Sequence, residues 1–193
     1  MSKNIILLTI IVIVVIVGVT FYLLSSKPTI TAMEELIKGV ERKFSLRSSS
    51  FKYGEDIPVK YTVDGKNVSP PLDWSGAPPN TKSYVLIMYD PDAPKGIFYH
   101  WILYNIPAKV TGLPEGIPRI KETPYGLQGV NDYGQIGYGG PSPPPGSKHR
   151  YIFLLLALDT ELNLKPGASI DEVLRACKGH VLDYAELLGY YGR

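Results

Sequence analysis

Residues 83–106 constrain the fold more than any other stretch of this chain. Ser83-Tyr84-Val85-Leu86-Ile87-Met88-Tyr89 is a nearly unbroken apolar run, long enough for a strand and too short for a helix. Phe98 to Ile106 is a second run, rich in aromatic and branched side chains. Between them, Asp90-Pro91-Asp92-Ala93-Pro94-Lys95-Gly96 has the proline and glycine content of a tight connection. Antiparallel pairing sets the exit of the first strand beside the entrance of the second. The carboxylates of Asp90 and Asp92 then fall near the imidazole of His100, at one end of a sheet. Two readings follow: a binding site held by prolines, or a rigid turn whose aspartates cap backbone N–H groups and whose histidine packs in the core.

Further strand signals lie on either side. Ile57, Val59, Tyr61 and Val63 alternate with Pro58, Lys60 and Thr62, predicting a half-buried strand that ends at Asp64-Gly65. Pro70-Pro71 and Pro78-Pro79 keep Leu72 to Ala77 out of any helix interior. Asn67-Val68-Ser69 fits the glycosylation sequon, a weak signal before a proline. Gly126 to Gly146 holds seven glycines and four prolines. It also carries Leu127, Val130, Tyr133, Ile136 and Tyr138, which a solvated linker does not need, so it reads as an ordered wall. It has no Gly-Lys-Ser/Thr triplet and no following helix pattern, so it is not a phosphate-cradling loop of the familiar kinds. His149 to Leu158 is a strongly apolar strand in which His149, Tyr151 and Phe153 share one face.

The last part reads as helical. Ser169 and Glu172 have capping-box spacing, with Ile170, Val173, Leu174 and Cys177 on one side. Val181, Leu182, Ala185, Leu187 and Leu188 predict a second helix. Strands first and helices last imply a mainly β, antiparallel fold with helices gathered at one end or edge.

At the other end, residues 1–4 form a short tail and Ile5 to Leu24 is a charge-free run of twenty residues. At about 1.5 Å per residue it spans about 30 Å, the thickness of a bilayer's hydrocarbon core. A signal peptide has a shorter apolar region and a small-residue cleavage site, so a retained single-span anchor is expected. The flanking Lys3 and Lys27 nearly balance, and the short leading tail favours a domain outside the cytoplasm. Residues 25–43 form a linker with a juxtamembrane helix from Thr31. Thr31 and Glu34 have capping-box spacing, and Met33, Leu36, Ile37, Val40 and Phe44 recur at helical intervals. Residues 44–193 form the folded domain. They carry fifteen basic and fifteen acidic side chains with no basic run, which argues against a nucleic-acid partner. One cysteine, Cys177, excludes an intramolecular disulfide and a cysteine-rich zinc site.

Several motifs occur in one order: Asn67-Val68-Ser69-Pro70-Pro71-Leu72-Asp73-Trp74, Asp90-Pro91-Asp92-Ala93-Pro94, His100-Trp101, Tyr138-Gly139-Gly140-Pro141-Ser142-Pro143-Pro144-Pro145-Gly146 and His149-Arg150-Tyr151. Together they resemble the phosphatidylethanolamine-binding protein family, also called the Raf kinase inhibitor protein family. Gly126-Leu127-Gln128-Gly129-Val130-Asn131-Asp132 and Tyr191-Gly192-Arg193 are similar to its compact prokaryotic branch. The resemblance covers residues 44–193 and implies an antiparallel two-sheet β-sandwich with peripheral C-terminal helices. It also implies a small anion pocket at one end, for phosphate-type groups or phospholipid headgroups. Carried over by position, the pocket residues are Asp90, Asp92, Pro94, His100, Pro143, Pro144, His149 and Tyr151. Lys95-Gly96 replaces the Ser-Arg common in eukaryotic members, and Ser142 stands where prokaryotic relatives often have cysteine.

The expected function is therefore a membrane-anchored, non-catalytic binding protein without a cofactor. Protonated His100 and His149 are expected to donate to phosphate oxygens. An inhibitor or regulator of a serine protease or kinase is the alternative, although no reactive-loop signature identifies a target. A metal-dependent hydrolase is a further alternative, because Asp90, Asp92, His100 and His149 are acceptable ligands. Against it, there is no Gly-X-Ser-X-Gly elbow, and Cys177 falls on a helix face away from any histidine.

Overall fold

The computed structural model describes residues 30–193. The expected membrane span at residues 5–24 lies outside them, and among the described residues no helix is long and apolar enough to cross a membrane. The chain builds two sheets. Strands β1 (Ser45–Arg47), β3 (Leu72–Ser75) and β6 (Gly112–Leu113) form a small one in the order β1-β3-β6. The larger has the order β2-β10-β9-β4-β5-β8-β7. Its strands are β2 (Glu55–Asp56), β4 (Ser83–Asp90), β5 (Phe98–Pro107), β7 (Glu122–Thr123), β8 (Gly126–Gln128), β9 (Lys148–Leu158) and β10 (Val181–Gly192). All pairs are antiparallel except β2 with β10.

The large sheet is buried on both faces, which explains why β4 and β9 read as apolar runs rather than alternations. One face meets the small sheet through Trp74, Leu86, Met88, Trp101, Phe153 and Leu187. The other, with Val85, Ile87, Ile102, Leu154 and Leu156, is covered by helices α1 (Ile30–Ile37) and α2 (Ile170–Cys177). Helix α2 presents Ile170, Val173, Leu174 and Cys177 to it, as the spacing predicts. The Ser169 capping box is closed from both sides, by Glu172 N–H to Ser169 Oγ and Ser169 N–H to the Glu172 carboxylate at 2.8 Å.

Three expectations fail. The second C-terminal helix is instead the strand β10, paired with β9 along its length from Val181 to Gly192. Asp183, Ala185, Leu187, Gly189 and Tyr191 point inward alternately, so period two coexists with the helical spacing. The eleven-residue edge of β9 supplies the backbone partners that decide between the two. Residues 57–63 are not a strand either. Pro58 precedes one turn of 3₁₀-helix (Val59–Tyr61), closed by Tyr61 N–H to Pro58 O at 2.9 Å and Thr62 N–H to Val59 O at 3.0 Å. Val59 and Val63 are exposed and Tyr61 is buried. Finally, α1 begins at Ile30, so Thr31 lies within the helix and not at its cap. It ends at Ile37, and the following Gly39 takes a positive φ of 77°. Met33 and Phe44, expected on one face, lie in opposite cores.

Candidate functional site

The register carries the site. Asp90, the last residue of β4, stands opposite Phe98, the first of β5, and β9 enters beside them with Tyr89 opposite Ile152. Three strand ends therefore meet at one end of the large sheet, and the proline-rich loop before β9 closes the space. The result is a cavity of about 190 Å³ lined by Asp90, Pro94, His100, Pro143, Pro144, His149 and Tyr151. Ala93, Phe98, Tyr133 and Ser142 complete it. Wider grooves of about 480 and 690 Å³ lie near Arg47 and near Pro78, but no pair of buried titratable side chains converges on either. We assign the small cavity on its chemistry.

Asp92 departs from the expected set. Its carboxylate lies outside the cavity wall and accepts from the Arg150 backbone N–H at 2.9 Å, from Nε at 2.9 Å and from Nη2 at 2.6 Å. That guanidinium holds the Asp92 carboxyl below its ordinary pKa. Asp92 is thus a clamp joining the β4–β5 turn to β9. Asp90 does face the cavity. Its Oδ1 accepts from Asp92 N–H at 2.8 Å, and its Oδ2 lies 2.7 Å from His149 Nδ1. Both side chains are more than nine-tenths buried. An ionised carboxylate only accepts, so His149 Nδ1 carries the proton and Nε2 is the nitrogen it offers to a ligand. Both readings of the Asp90 turn are thus realised: Asp90 caps a backbone N–H and also orients a cavity histidine.

His100 is buried at the cavity wall, its ring centroid 4.9 Å from Phe98, 5.6 Å from Tyr133 and 5.2 Å from Tyr151. Nδ1 lies 2.7 Å from Gly139 O. A carbonyl cannot donate, so the proton is on Nδ1. Burial pushes the His100 pKa down to about 4, with Gly139 O and Asp90 opposing it. The ring is neutral near pH 7, which corrects the expectation that His100 donates as an imidazolium.

The wall that fixes this tautomer needs its two glycines. A Cβ at Gly139 would sit 2.5 Å from the Tyr133 ring, and one at Gly140 2.5 Å from Tyr61 O. Gly140 N–H donates to Asn67 Oδ1 at 2.8 Å, and Gly139 N–H to His100 O at 2.8 Å. The amide of the expected sequon is therefore part of the fold, and Ser69 beside it is buried and accepts from Ile117 N–H at 2.9 Å. Tyr133 is held by Asn131, whose Oδ1 accepts from Tyr133 N–H at 3.0 Å, and its hydroxyl donates to Gly140 O at 3.1 Å.

Tyr151 is fully buried, and its hydroxyl has no hydrogen-bond partner. The Ser142 amide approaches it without completing a bond of ordinary geometry. Burial raises the phenol pKa far above its ordinary value, so the group is a permanent O–H. Among the described residues, no three His, Cys, Asp or Glu side chains are arranged to hold a metal ion. Asp92, one of four ligands considered for a hydrolase, is occupied by Arg150.

Phe98 and Tyr133 were absent from the expected set. Phe98 was signalled by period two, since it shares a strand face with His100. Tyr133 was signalled only as an aromatic in a glycine-rich loop, with nothing local to say which way that loop folds.

Residues 47–192 match the phosphatidylethanolamine-binding protein family. A UPF0098 protein of Methanothermobacter thermautotrophicus is 51% identical over 150 residues, 77% of this chain and 99% of the relative. One from Pyrococcus horikoshii is 52% identical over 162 residues, 81% of each chain. Among solved structures, a phosphatidylethanolamine-binding protein homologue from Chlamydia trachomatis superposes with a TM-score of 0.72 at 41% identity, covering 79% of this chain and 99% of its own. E. coli YbcL, described as a member of the mammalian family, gives 0.73 at 35%, covering 78% and 99%. With its two-sheet fold and the cavity motifs in order, the chain belongs to the phosphatidylethanolamine-binding protein family.

Proposed function

We propose that this protein is a non-catalytic binding protein whose cavity takes a small phosphate-type group, free or as part of a lipid headgroup. The unpartnered Tyr151 hydroxyl carries the reading. A buried O–H without an acceptor costs about 1–3 kcal/mol, and an anionic oxygen entering the cavity is the partner that removes this cost. His149, oriented by Asp90 through Nδ1, lines the same cavity. The aromatic rings of Phe98 and Tyr133 and the prolines give the group a rigid, largely apolar surround. Ser142 is the one aliphatic hydroxyl in the cavity lining, and among the described residues no hydrogen bond joins it to His100 or His149 as a nucleophile to its base. Anchoring through residues 5–24 belongs to the same proposal and would keep the cavity at a membrane surface.

The test is calorimetric titration of the full chain, in detergent micelles, with phosphoethanolamine. Saturable binding that Tyr151→Phe weakens supports the reading. Equal affinity in the two proteins, or no heat in either, sinks it.

A further inference from the structure

We infer that the cavity selects a phosphate monoester in its singly protonated form, with His100 Nε2 accepting the ligand's P–O–H and the Tyr151 hydroxyl donating to a charged oxygen. The inference rests on the anion-site reading above and narrows it to a ligand class.

Two independent observations support it. The first is the direction of the hydrogen bonds. Gly139 O fixes the proton of His100 on Nδ1, so Nε2 presents a lone pair. No described residue donates to that nitrogen, and a bare phosphate oxygen placed against it would set two lone pairs face to face. A P–O–H satisfies it. Tyr151 supplies the opposite polarity, an O–H with no acceptor. The ring contact between these two side chains, 5.2 Å between centroids, is close enough for one tetrahedral group to serve both. The second observation is charge. The lining contains a carboxylate, Asp90, and no lysine or arginine. The nearby Arg150 and Arg193 are each paired to an aspartate, Asp92 and Asp64. A doubly charged anion would thus meet one fixed negative charge and no permanent cation, whereas a monoanion halves the repulsion.

The groups that face His100 keep it an acceptor throughout the useful pH range. They are Asp90 from β4, Asp132 and Tyr133 from the loop, and His149 and Tyr151 from β9. The two carboxylates favour the imidazolium, yet burial outweighs them. The ligand is therefore the partner that titrates. A phosphate monoester loses its last proton near pH 6, so its singly protonated fraction falls on the order of 75-fold between pH 5.5 and 8. A diester and sulfate have no such proton.

The experiment measures affinities of the full chain for four probes from pH 5.5 to 8: inorganic phosphate against sulfate, and phosphoethanolamine against glycerophosphoethanolamine, a diester with the same ammonium. We expect phosphate to bind at least about tenfold more tightly than sulfate at pH 5.5. We expect the preference for monoester over diester to fall at least about tenfold by pH 8, in step with the protonated fraction. On ¹⁵N-histidine-labelled protein, the unprotonated Nε2 resonance of His100 should shift as phosphate saturates. Equal affinities for all four probes at every pH, or saturable phosphate binding that leaves His100 Nε2 unmoved, would overturn the selectivity while leaving the anion site intact. A preference for the diester would do the same and point to an intact lipid headgroup. Binding of none of the four would remove the anion site and this inference together.

Discussion

Two buried side chains place this protein's function and its stability in tension. Tyr151→Phe removes a hydroxyl with no partner, so the unliganded protein should gain about 1 kcal/mol in urea unfolding. The same change should weaken phosphoethanolamine binding at least about tenfold, about 1.4 kcal/mol. A purely structural tyrosine would show no such opposition. His100 makes the second prediction. Its folded pKa of about 4 lies below the usual value of 6.5. Between those two pH values the unfolded chain binds the extra proton and the folded one does not, so stability rises with pH across the window. Acidification from pH 6.5 to about 4 should cost roughly 3 kcal/mol, and His100→Gln should flatten that slope in urea midpoints measured at each pH. The sequence shows which residues gather here, because the turn after β4 and the start of β5 are adjacent in the chain. It does not show their hydrogen-bond directions. Asp90 and Asp92 are alike in sequence, and the difference is Arg150, 58 positions beyond Asp92, which claims that carboxylate and not the other.

Among the elements, legibility followed how many faces a segment buries. Strands β4 and β9 read correctly because covering both faces leaves a pattern with no helical alternative at their length. Helix α2 read correctly because its cap and its stripe agree. Strand β10 was misread because Leu182, Ala185 and Leu188 satisfy a helical period while Ala185, Leu187 and Tyr191 satisfy a strand's. The two periods make opposite claims about neighbouring leucines. Leu187 is buried between the sheets and Leu188 is only half-buried on the other face. Leu187→Ala should cost about 2–4 kcal/mol and Leu188→Ala less than about 1.5, compared by thermal or urea unfolding. The 57–63 segment shows the converse. Alternation alone built no strand there, because Pro58 donates no N–H and fixes the backbone for a turn.

At the scale of the molecule, one sheet serves two cores, and this ranks the parts by stability. Strand β4 lies between β5 and β9 with all eight residues buried, so its amides should exchange only on global unfolding. Helix α1 packs chiefly against α2 and β10 at the margin of its core and should exchange through a smaller opening, at least about tenfold faster than β4 in hydrogen-exchange mass spectrometry. A mainly β, antiparallel fold was legible from the order of the strands, and its two sheets only from the family resemblance. Its unequal division into three and seven strands was not, and neither was the parallel pairing of β2. Both depend on where β10 docks, and that was the element misread.

Lys95 is exposed on the β4–β5 turn and directly follows Pro94 of the cavity wall, so a probe carried there sits at the rim. The sole cysteine, Cys177, is fully buried and its thiol is pushed up to about 12, so it is inert to maleimides. A Lys95→Cys substitution would therefore supply the single reactive thiol, placing a fluorophore where it reports occupancy.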